Sequence, residues 1–341
     1  MNKSPKPRII FITGTDTGVG KTLLTALLLS HLRETGCRAL AIKPFCTGSR
    51  SDAEILYSLQ APDAPQIKNH PAQRGTKIKN PFALDQINPF YFPEPLAPLI
   101  AARIHRRRIT LSQTVKHVRR IAALLRGSGQ SSTVPSRHDF IIPSFQRSNP
   151  PPLHRSITPF LLIEGAGGLL TPLGEGFNIL DLISVLSGIT GRASSIQHPV
   201  SSIQTILVAP NRLGTINHTL LTVQALQHAR PPHSRNTEHG TRNTRSIMQH
   251  TCHQSLRVVL MSAMPPQHST PDTRHNRTVL SELLAPIPVF ELPFLGPNPM
   301  PIRALKKNQK KTKKTLALIL DSVKLSSVAP QQHRGKKKKC L

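Results

Sequence analysis

One glycine-rich segment near the start of the chain constrains the fold more than any other feature. The apolar run Ile-Ile-Phe-Ile at residues 9–12 leads into Gly-Thr-Asp-Thr-Gly-Val-Gly-Lys-Thr at 14–22, and a leucine-rich helical pattern follows. Strand, glycine-rich turn and helix are the context of a phosphate-binding loop, in which consecutive backbone N–H groups and the helix dipole attract an anion. In such a loop Lys21 neutralises the β- and γ-phosphates of a nucleotide, and the Thr22 hydroxyl is a ligand of Mg²⁺.

The spacing of this segment departs from the common phosphate-binding loop at two positions. The first glycine is Gly14, and Thr15 stands where the common spacing requires a glycine. Asp16 occupies the position at which a variant of the loop carries an additional lysine. A glycine-rich turn without a ligand is the alternative interpretation. The order of turn, lysine and threonine between strand and helix favours phosphate binding.

Two further segments place charged side chains at the same edge of the predicted sheet. A short apolar strand at 39–42 precedes Lys43, and a strand at 160–164 ends in Glu164, which Gly-Ala-Gly-Gly follows. Ligands of open α/β sheets bind at the carboxyl ends of the strands, so we expect both side chains beside the phosphate-binding loop. Asp52 begins a helix and is interpreted equally well as a helix N-terminal carboxylate or as a metal ligand.

Glu164 stands where a carboxylate holds Mg²⁺ beside a phosphate-binding loop. The alternative is a glutamate that only ends a strand at a turn. Mg²⁺ prefers hard oxygen ligands, and Thr22, Asp52 and Glu164 would supply three of them at one sheet edge. This coherence favours a magnesium site that serves a bound nucleotide.

The remaining elements indicate a fold of the α/β class. Further strands are predicted at 205–209, 258–261 and 289–293, and helices at 99–105, 111–125, 178–186, 219–228 and 278–284. Alternating strands and helices predict a mostly parallel central sheet with helices on both faces, as in P-loop NTPases. Thr215 is expected to cap the helix at 219–228. Asn217 and His218 are interpreted either as surface polar residues or as ligands.

Three polar stretches and a basic end interrupt this pattern. Residues 126–158, 188–203 and 230–255 are rich in polar residues and are predicted to be low-complexity, irregular insertions. Residues 1–302 are therefore interpreted as one nucleotide-binding domain. Residues 303–341 are interpreted as a basic C-terminal tail, within which 314–325 has a helical pattern.

The formal net charge of +29 is extreme. Such a surplus is compatible with binding to nucleic acid or to an anionic surface, and equally with a basic tail on an ordinary enzyme. Four cysteines are too sparse for a disulfide framework, which favours a reducing compartment. The chain has no apolar run of about 18 residues, so we expect a cytoplasmic protein without a membrane span.

Five sequence blocks in one order resemble the dethiobiotin synthetases. They are the loop at 14–22, Lys-Pro-Phe-Cys-Thr-Gly-Ser at 43–49, Ser-Asp-Ala at 51–53, Glu-Gly-Ala-Gly-Gly at 164–168 and Leu-Gly-Thr-Ile-Asn-His-Thr-Leu-Leu-Thr at 213–222. The resemblance implies a ligase of biotin biosynthesis that uses ATP and Mg²⁺. Its substrates are 7,8-diaminopelargonic acid and CO₂ or bicarbonate, and its product is the cyclic urea dethiobiotin, formed through a carbamic–phosphoric anhydride.

The resemblance also implies roles for individual residues. Lys43 and Lys21 are the catalytic lysines, and the metal ligands are Thr22, Asp52 and Glu164. The nucleotide contacts are Gly18, Val19, Gly20, Lys21, Thr22, Leu23, Asp52, Glu164, Gly165, Ala166 and Gly167. The substrate contacts are Thr17, Thr47 and Asn217. Asn217 is expected to hold the substrate carboxylate across the interface of a homodimer.

One departure from the family concerns the nucleotide base. The Asn-Asp pair that reads adenine in the family stands here as Met261-Ser262. Two other functions stay open, namely a P-loop ATPase of a related class and a degenerate homologue, each with a basic tail that binds nucleic acid or an anionic surface. A partitioning-type ATPase would carry a lysine at position 16, where Asp16 stands, and would have no need of Lys43 with Thr47.

Overall fold

A parallel sheet of six strands organises the chain. The computed structural model describes residues 5–60, 83–125, 158–188, 203–228, 255–268 and 270–325. Its strands are β1 (Arg8–Gly14), β2 (Ala39–Ile42), β3 (Phe45–Thr47), β4 (Phe90–Phe92), β5 (Phe160–Glu164), β6 (Pro172–Gly174), β7 (Phe177–Asn178), β8 (Gln204–Asn211), β9 (Leu256–Ser262) and β10 (Val289–Leu292). The central sheet has the order β10-β9-β8-β1-β5-β2, β3 and β4 form a parallel pair, and β6 and β7 form an antiparallel pair. The three predicted insertions lie outside the described residues, apart from single residues at their ends.

Helices cover both faces of this sheet. They are α1 (Lys21–Glu34), α2 (Ser51–Gln60), α3 (Leu84–Ile87), α4 (Pro98–Ile104), α5 (Leu111–Leu125), α6 (Ile179–Leu186), α7 (Thr215–Gln227), α8 (Pro271–Leu283) and α9 (Ile302–Leu325). Apolar residues of α4 to α8 pack in one core with Ile9 and Phe11 of β1. Those of α1, α2, α3 and α9 pack in a second core with Ile10 and Ile12. The predicted P-loop NTPase-like α/β fold is confirmed.

The alternation along β1 explains why the strands read as unbroken apolar runs. Successive side chains of a strand point to opposite faces, and both faces of this sheet are covered by helices. β1 lies between β5 and β8, and β5 lies between β1 and β2. The loop after β1 therefore leaves the sheet near its middle, with the ends of β5 and β2 beside it on one side and the end of β8 on the other.

The helices α7 and α8 begin earlier than the sequence pattern predicts. The expected cap Thr215 is the first residue of α7, and the residue before it, Gly214, adopts a left-handed conformation with φ of 84°. The Thr215 hydroxyl is buried without a hydrogen-bond partner among the described residues, so the cap prediction is wrong. α8 begins at Pro271 rather than at 278, because a proline is preorganised for the first turn of a helix.

The predicted boundary of the domain at residue 302 needs correction. α9 runs over 24 residues from Ile302, well before the predicted start at 314. The helix contacts α1, and the buried apolar side chains of its second half are Leu316, Ile319, Leu320 and Val323. The basic segment is therefore part of the folded domain as far as residue 325, and 326–341 lie outside the described residues.

A buried arginine ties α9 to the end of the sheet. Arg257, near the start of β9, is only 2% exposed. Its guanidinium donates to the Gln204 side chain on the neighbouring β8 and to the backbone carbonyl of Ser322 on α9. A third bond of 3.2 Å reaches the Ser322 hydroxyl. Because a desolvated guanidinium needs all of these partners, the contact fixes the position of α9.

Among the described residues, no helix has the length and apolar character needed to cross a bilayer.

The packing of α9 predicts that its apolar side supports the stability of the domain. Leu316→Ala removes a fully buried side chain and should lower the free energy of unfolding by about 2–5 kcal/mol. Leu318→Ala, on the exposed side of the same helix, should change it by less than about 0.5 kcal/mol. Urea denaturation of both variants measures the difference. Equal values for the two would contradict the assignment of α9 to the core.

Candidate functional site

The glycines of the phosphate-binding loop are required by close packing or by a left-handed backbone. A Cβ on Gly14 would lie 2.7 Å from Cγ2 of Val19, so the position tolerates no side chain without a shift. Gly18 and Gly20 adopt left-handed conformations with φ of 72° and 97°. The loop therefore folds back over its own first residue. This contact explains why the first glycine is at 14 rather than at 15.

The Lys21 side chain lies inside the loop and bonds to the loop backbone. Its Nζ donates to the backbone carbonyl of Asp16 at 2.6 Å, across five residues of the turn. The side chain is buried, and burial lowers the pKa of Lys21 to about 8, in spite of the opposing attraction of Glu164. An ammonium group on the inner side of a glycine-rich loop is arranged to meet phosphate oxygens.

Four predicted site residues meet beside this loop. The Thr22 hydroxyl donates to Oε1 of Glu164 at 2.6 Å. Nζ of Lys43 lies 2.7 Å from the same Oε1 and 3.4 Å from Oγ1 of Thr22, and it also donates to Oδ2 of Asp52. We call these four residues the lysine–carboxylate cluster. They come from α1, from the end of β2, from α2 and from the end of β5, so the sheet order brings them together.

Glu164 is the most deeply buried member of the lysine–carboxylate cluster. The residue is 1% exposed, and its second oxygen, Oε2, is buried without a hydrogen-bond partner among the described residues. A desolvated carboxylate oxygen is costly unless a cation or a donor reaches it. Burial alone would lower the pKa of Lys43, but the attraction of Glu164 and Asp52 outweighs it and raises this pKa above its ordinary value. Lys43 is therefore a stable cation.

The oxygen atoms of the lysine–carboxylate cluster fit Mg²⁺. Two carboxylates and one hydroxyl converge from Asp52, Glu164 and Thr22, and Oε2 of Glu164 lacks a partner among the described residues. The described residues contain no cluster of three His, Cys, Asp or Glu side chains. A magnesium ion here would thus complete its shell with water and phosphate oxygens, as it usually does in nucleotide sites.

The glycine-rich turn after Glu164 packs against the phosphate-binding loop. The N–H of Gly165 donates to the carbonyl of Ile12 at 2.9 Å. Gly167 is left-handed with φ of 68°, and a Cβ on Gly168 would lie 3.1 Å from the carbonyl oxygen of Thr15. The predicted nucleotide contacts at 165–167 therefore lie beside the start of the loop that carries the predicted contacts at 18–23. Their roles stay predictions.

The predicted substrate contacts lie in three different parts of the fold. Thr47 ends β3, four residues after Lys43, and is partly buried. Thr17 is exposed on the phosphate-binding loop, where its N–H donates to Oδ1 of Asp16. Asn217 is exposed in the first turn of α7, which follows β8 at the same sheet edge, and no hydrogen bond among the described residues joins it to the cluster.

Asn88 is a site residue that sequence reasoning missed. It is 1% exposed, and its Nδ2 donates to the backbone carbonyl of Lys43 at 2.8 Å. Its Oδ1 accepts from Nε of Arg50 at 3.0 Å, and the N–H of Lys43 donates to the carbonyl of Ile87. These bonds fix the backbone from which the Lys43 side chain extends. The β3–β4 pairing that creates this arrangement joins residues 45–47 to 90–92, and no local signal in the sequence reveals it.

Met261 and Ser262, the pair that departs from the family pattern, lie at the end of β9 beside the phosphate-binding loop. Met261 is buried at the end of β9, and a Cβ on Gly20 would lie 3.1 Å from its Cγ. The hydroxyl of Ser262 donates to Oε1 of Glu291 at 2.9 Å, and Nδ2 of Asn211 donates to the same oxygen at 3.0 Å. The thioether thus packs under the phosphate-binding loop, while polar side chains of β8, β9 and β10 bond to one another.

Comparison with known proteins assigns the family. Residues 8–149 match a family described as an AAA domain. ATP-dependent dethiobiotin synthetase from Anaeromyxobacter sp. is 32% identical over 220 residues, which are 64% of this chain and 71% of that protein. The chain belongs to the dethiobiotin synthetase family. Members of this family are ligases. The enzyme of this name from Bacillus licheniformis is 31% identical over 63% of this chain and 65% of its own length. One from Escherichia coli O157:H7 is 30% identical over 70% and 85%.

Membership of the dethiobiotin synthetase family accounts for the ATP-binding loop and the glycine-rich turn together. The alignments span about two thirds of the chain, in agreement with sequence blocks that are separated by dissimilar stretches. The resemblance carried by those blocks is therefore confirmed at the level of the family.

The low pKa of Lys21 predicts proton uptake when a nucleotide binds. Phosphate oxygens next to the amine stabilise the ammonium form, so a group with a pKa of about 8 in the free protein becomes fully protonated in the complex. ADP binding at pH 7.5 should take up about 0.2 proton, and at pH 9 about 0.9. Calorimetry in buffers of different ionisation enthalpy measures this quantity. Uptake that stays constant or falls with pH would contradict the prediction.

Proposed function

We propose that this protein closes the urea ring of dethiobiotin from 7,8-diaminopelargonic acid and CO₂, with cleavage of ATP to ADP and phosphate. Family membership supports the reaction type. The single observation that carries the proposal is the lysine–carboxylate cluster, because it sets Lys43, Thr22 and two carboxylates directly beside a loop that is built for phosphate. A plain ATPase has no need for a second buried lysine in this place.

The nucleotide would be held by residues of the two glycine-rich turns. Backbone N–H groups at 18–23 would bind the phosphates, and Lys21 would neutralise their β- and γ-oxygens. Thr22, Asp52 and Glu164 would hold Mg²⁺, which, when bound, neutralises charge on the transferring phosphoryl group. Phosphoryl transfer depends mainly on positioning and on electrostatic stabilisation, which matches a site with two lysines and few other reactive groups.

The organic steps would take place next to Lys43. One amine of the substrate attacks CO₂, loses a proton and gives a carbamate, whose oxygen then attacks the γ-phosphorus of ATP and displaces ADP. The second amine attacks the carbon of this mixed anhydride, the new C–N bond closes the ring, and phosphate leaves with the bridging oxygen. Nζ of Lys43, on a flexible stem from a fixed backbone, would hold the carbamate and γ-phosphate oxygens in contact.

A homodimer would complete the substrate site. Asn217 and the N-terminus of α7 would bind the substrate carboxylate of a partner subunit, while Thr17 and Thr47 would contact the substrate from within the chain. The exposure of two leucines supports an interface here. Leu213 is 82% exposed just before α7, and Leu221 on the same helix is 56% exposed. Apolar side chains of this size at one helix are readily covered by a second copy.

The proposal predicts that dethiobiotin and ADP form together. The protein, 7,8-diaminopelargonic acid, MgATP and bicarbonate should give one dethiobiotin for each ADP, measured by mass spectrometry and a coupled ADP assay. ADP without dethiobiotin would instead identify a related ATPase. Neither product from a folded sample would identify a degenerate homologue.

Loss of the Lys43 ammonium should abolish most of the turnover. Lys43→Met is expected to lower kcat at least about 100-fold, because it removes a charge that acts on the reacting oxygens. The KM for ATP should change much less, since Lys21 and the loop remain. Lys116→Met, on the exposed side of α5, is the matched control and should leave both parameters unchanged. Steady-state kinetics that show wild-type kcat for Lys43→Met would refute the role.

The proposed interface predicts a linked loss of dimer and of substrate affinity. Leu213→Asp together with Leu221→Asp should yield monomers in sedimentation velocity, with a raised KM for 7,8-diaminopelargonic acid. Asn217→Ala should raise this KM about 10-fold or more without change of the oligomeric state. A monomeric wild-type protein with full activity would contradict both expectations.

A second candidate function is binding of nucleic acid through α9. One observation favours it: Arg303, Lys307, Lys310 and Lys314 are all exposed, and their spacing of three and four residues places them on one side of the helix. No acidic residue occurs in α9 before Asp321. Binding of a fluorescent DNA duplex should then fall steeply with salt, and charge reversal of these four residues should remove it while turnover persists. Salt-independent binding or none would contradict this function.

A further inference from the structure

The ammonium group of Lys43 has the same partners that a magnesium ion would have. Its Nζ lies 2.7 Å from Oε1 of Glu164 and 3.4 Å from Oγ1 of Thr22, and it donates to Oδ2 of Asp52. These are the three side chains that the proposed function assigns to Mg²⁺, and the present inference rests on that assignment. We infer that Lys43 occupies the cation position of the nucleotide-free site, so that Mg²⁺ enters only together with nucleotide phosphates.

Electrostatics explains why a cation is needed before any ligand arrives. The Glu164 side chain has no exposure to solvent, and a buried carboxylate without a counter-charge is strongly destabilising. Lys43 supplies this charge, and Asp52, whose side chain is 42% exposed, shares it from the solvent side. The ammonium therefore stabilises the empty site in the manner that a metal ion stabilises a loaded one.

The same contacts make Lys43 a competitor of the metal. Oε1 of Glu164 already accepts from both Thr22 and Lys43, so a metal ion cannot bind this oxygen while the ammonium stays in place. Oε2 is open among the described residues, but a metal ion that uses it together with Thr22 and Asp52 needs the place at which the ammonium contacts both of them. A divalent ion and an ammonium held within about 3 Å of one oxygen would also repel each other strongly. Free Mg²⁺ must therefore displace Lys43 and gains no new negative charge in return.

A nucleotide changes this balance because it brings its own negative charge. Phosphate oxygens beside the loop offer Lys43 new partners, and the side chain can turn towards them while the metal takes the carboxylates. The backbone of Lys43 is fixed by the 2.8 Å bond from Asn88 and the 3.0 Å bond to Ile87. Only the side chain needs to move. In this way one lysine serves first as the counter-ion of the empty site and then as a contact for the reacting oxygens.

Mn²⁺ binding to the nucleotide-free protein tests the inference. Mn²⁺ is counted by its electron paramagnetic resonance signal, without nucleotide or substrate. Wild type and the surface control Lys116→Met should bind it at least about 10-fold more weakly than Lys43→Gln, in which two carboxylates have lost their ammonium. Adding Glu164→Gln to Lys43→Gln should remove the gain. Equal affinities for wild type and Lys43→Gln would overturn the inference, as would tight binding to wild type.

Thermal unfolding supplies the second readout. Millimolar Mn²⁺ should raise the Tm of Lys43→Gln and of Lys43→Met, and should leave the wild-type Tm unchanged. If these variants are unfolded without metal, Mn²⁺ should restore the fold in refolding experiments. Variants that stay unfolded at every Mn²⁺ concentration would overturn the inference, since the metal then fails to replace the ammonium. No substrate is present in these measurements, so their outcome does not depend on whether the protein forms dethiobiotin.

Discussion

The contact between the Lys43 ammonium and the buried Glu164 carboxylate is the interaction on which the rest of the site depends. Glu164 stands at the end of the strand next to β1, where water does not reach it. A carboxylate in that position must be paired. The partner comes from the adjacent strand β2, and Thr22 reaches the same oxygen from the first turn of α1. Three neighbouring elements of the fold are therefore joined through one oxygen atom.

This arrangement follows from the order of the strands. A parallel sheet with β1 near its centre delivers the phosphate-binding loop and the ends of β5 and β2 to one edge, and helices fill both faces behind them. The basic helix α9 belongs to that scaffold, because its apolar side closes the core beneath α1 while its lysines at 307–314 are exposed. Arg257 joins its second half to β9 and β8, far along the sheet from the site. High positive charge and a compact nucleotide-binding domain are thus compatible in one chain.

Much of the fold and of the site could be predicted because the decisive signals are local. The strand, glycine turn and Lys-Thr pair follow one another within 14 residues, and Glu164 directly precedes its own glycine turn. Asn88 and the β3–β4 pair could not be predicted, because their importance arises from contacts across more than 40 residues. The full extent of α9 could not be predicted, because its many lysines conceal the spacing of the leucines on its buried side. Thr215 resembles a cap in sequence, but the left-handed Gly214 starts the helix one residue earlier.

The claim that a carbamate attacks ATP at this site is tested most directly by following one oxygen atom through the reaction. If the carbamate attacks ATP at this site, phosphate released during synthesis from ¹⁸O-labelled CO₂ must retain the bridging oxygen. Mass spectrometry, on a timescale short against exchange of the label with water, should then find one ¹⁸O in each phosphate that accompanies a dethiobiotin. Phosphate without label would show that water attacks the nucleotide, and it would contradict the assignment of Lys43 and its carboxylates to carbamate phosphorylation.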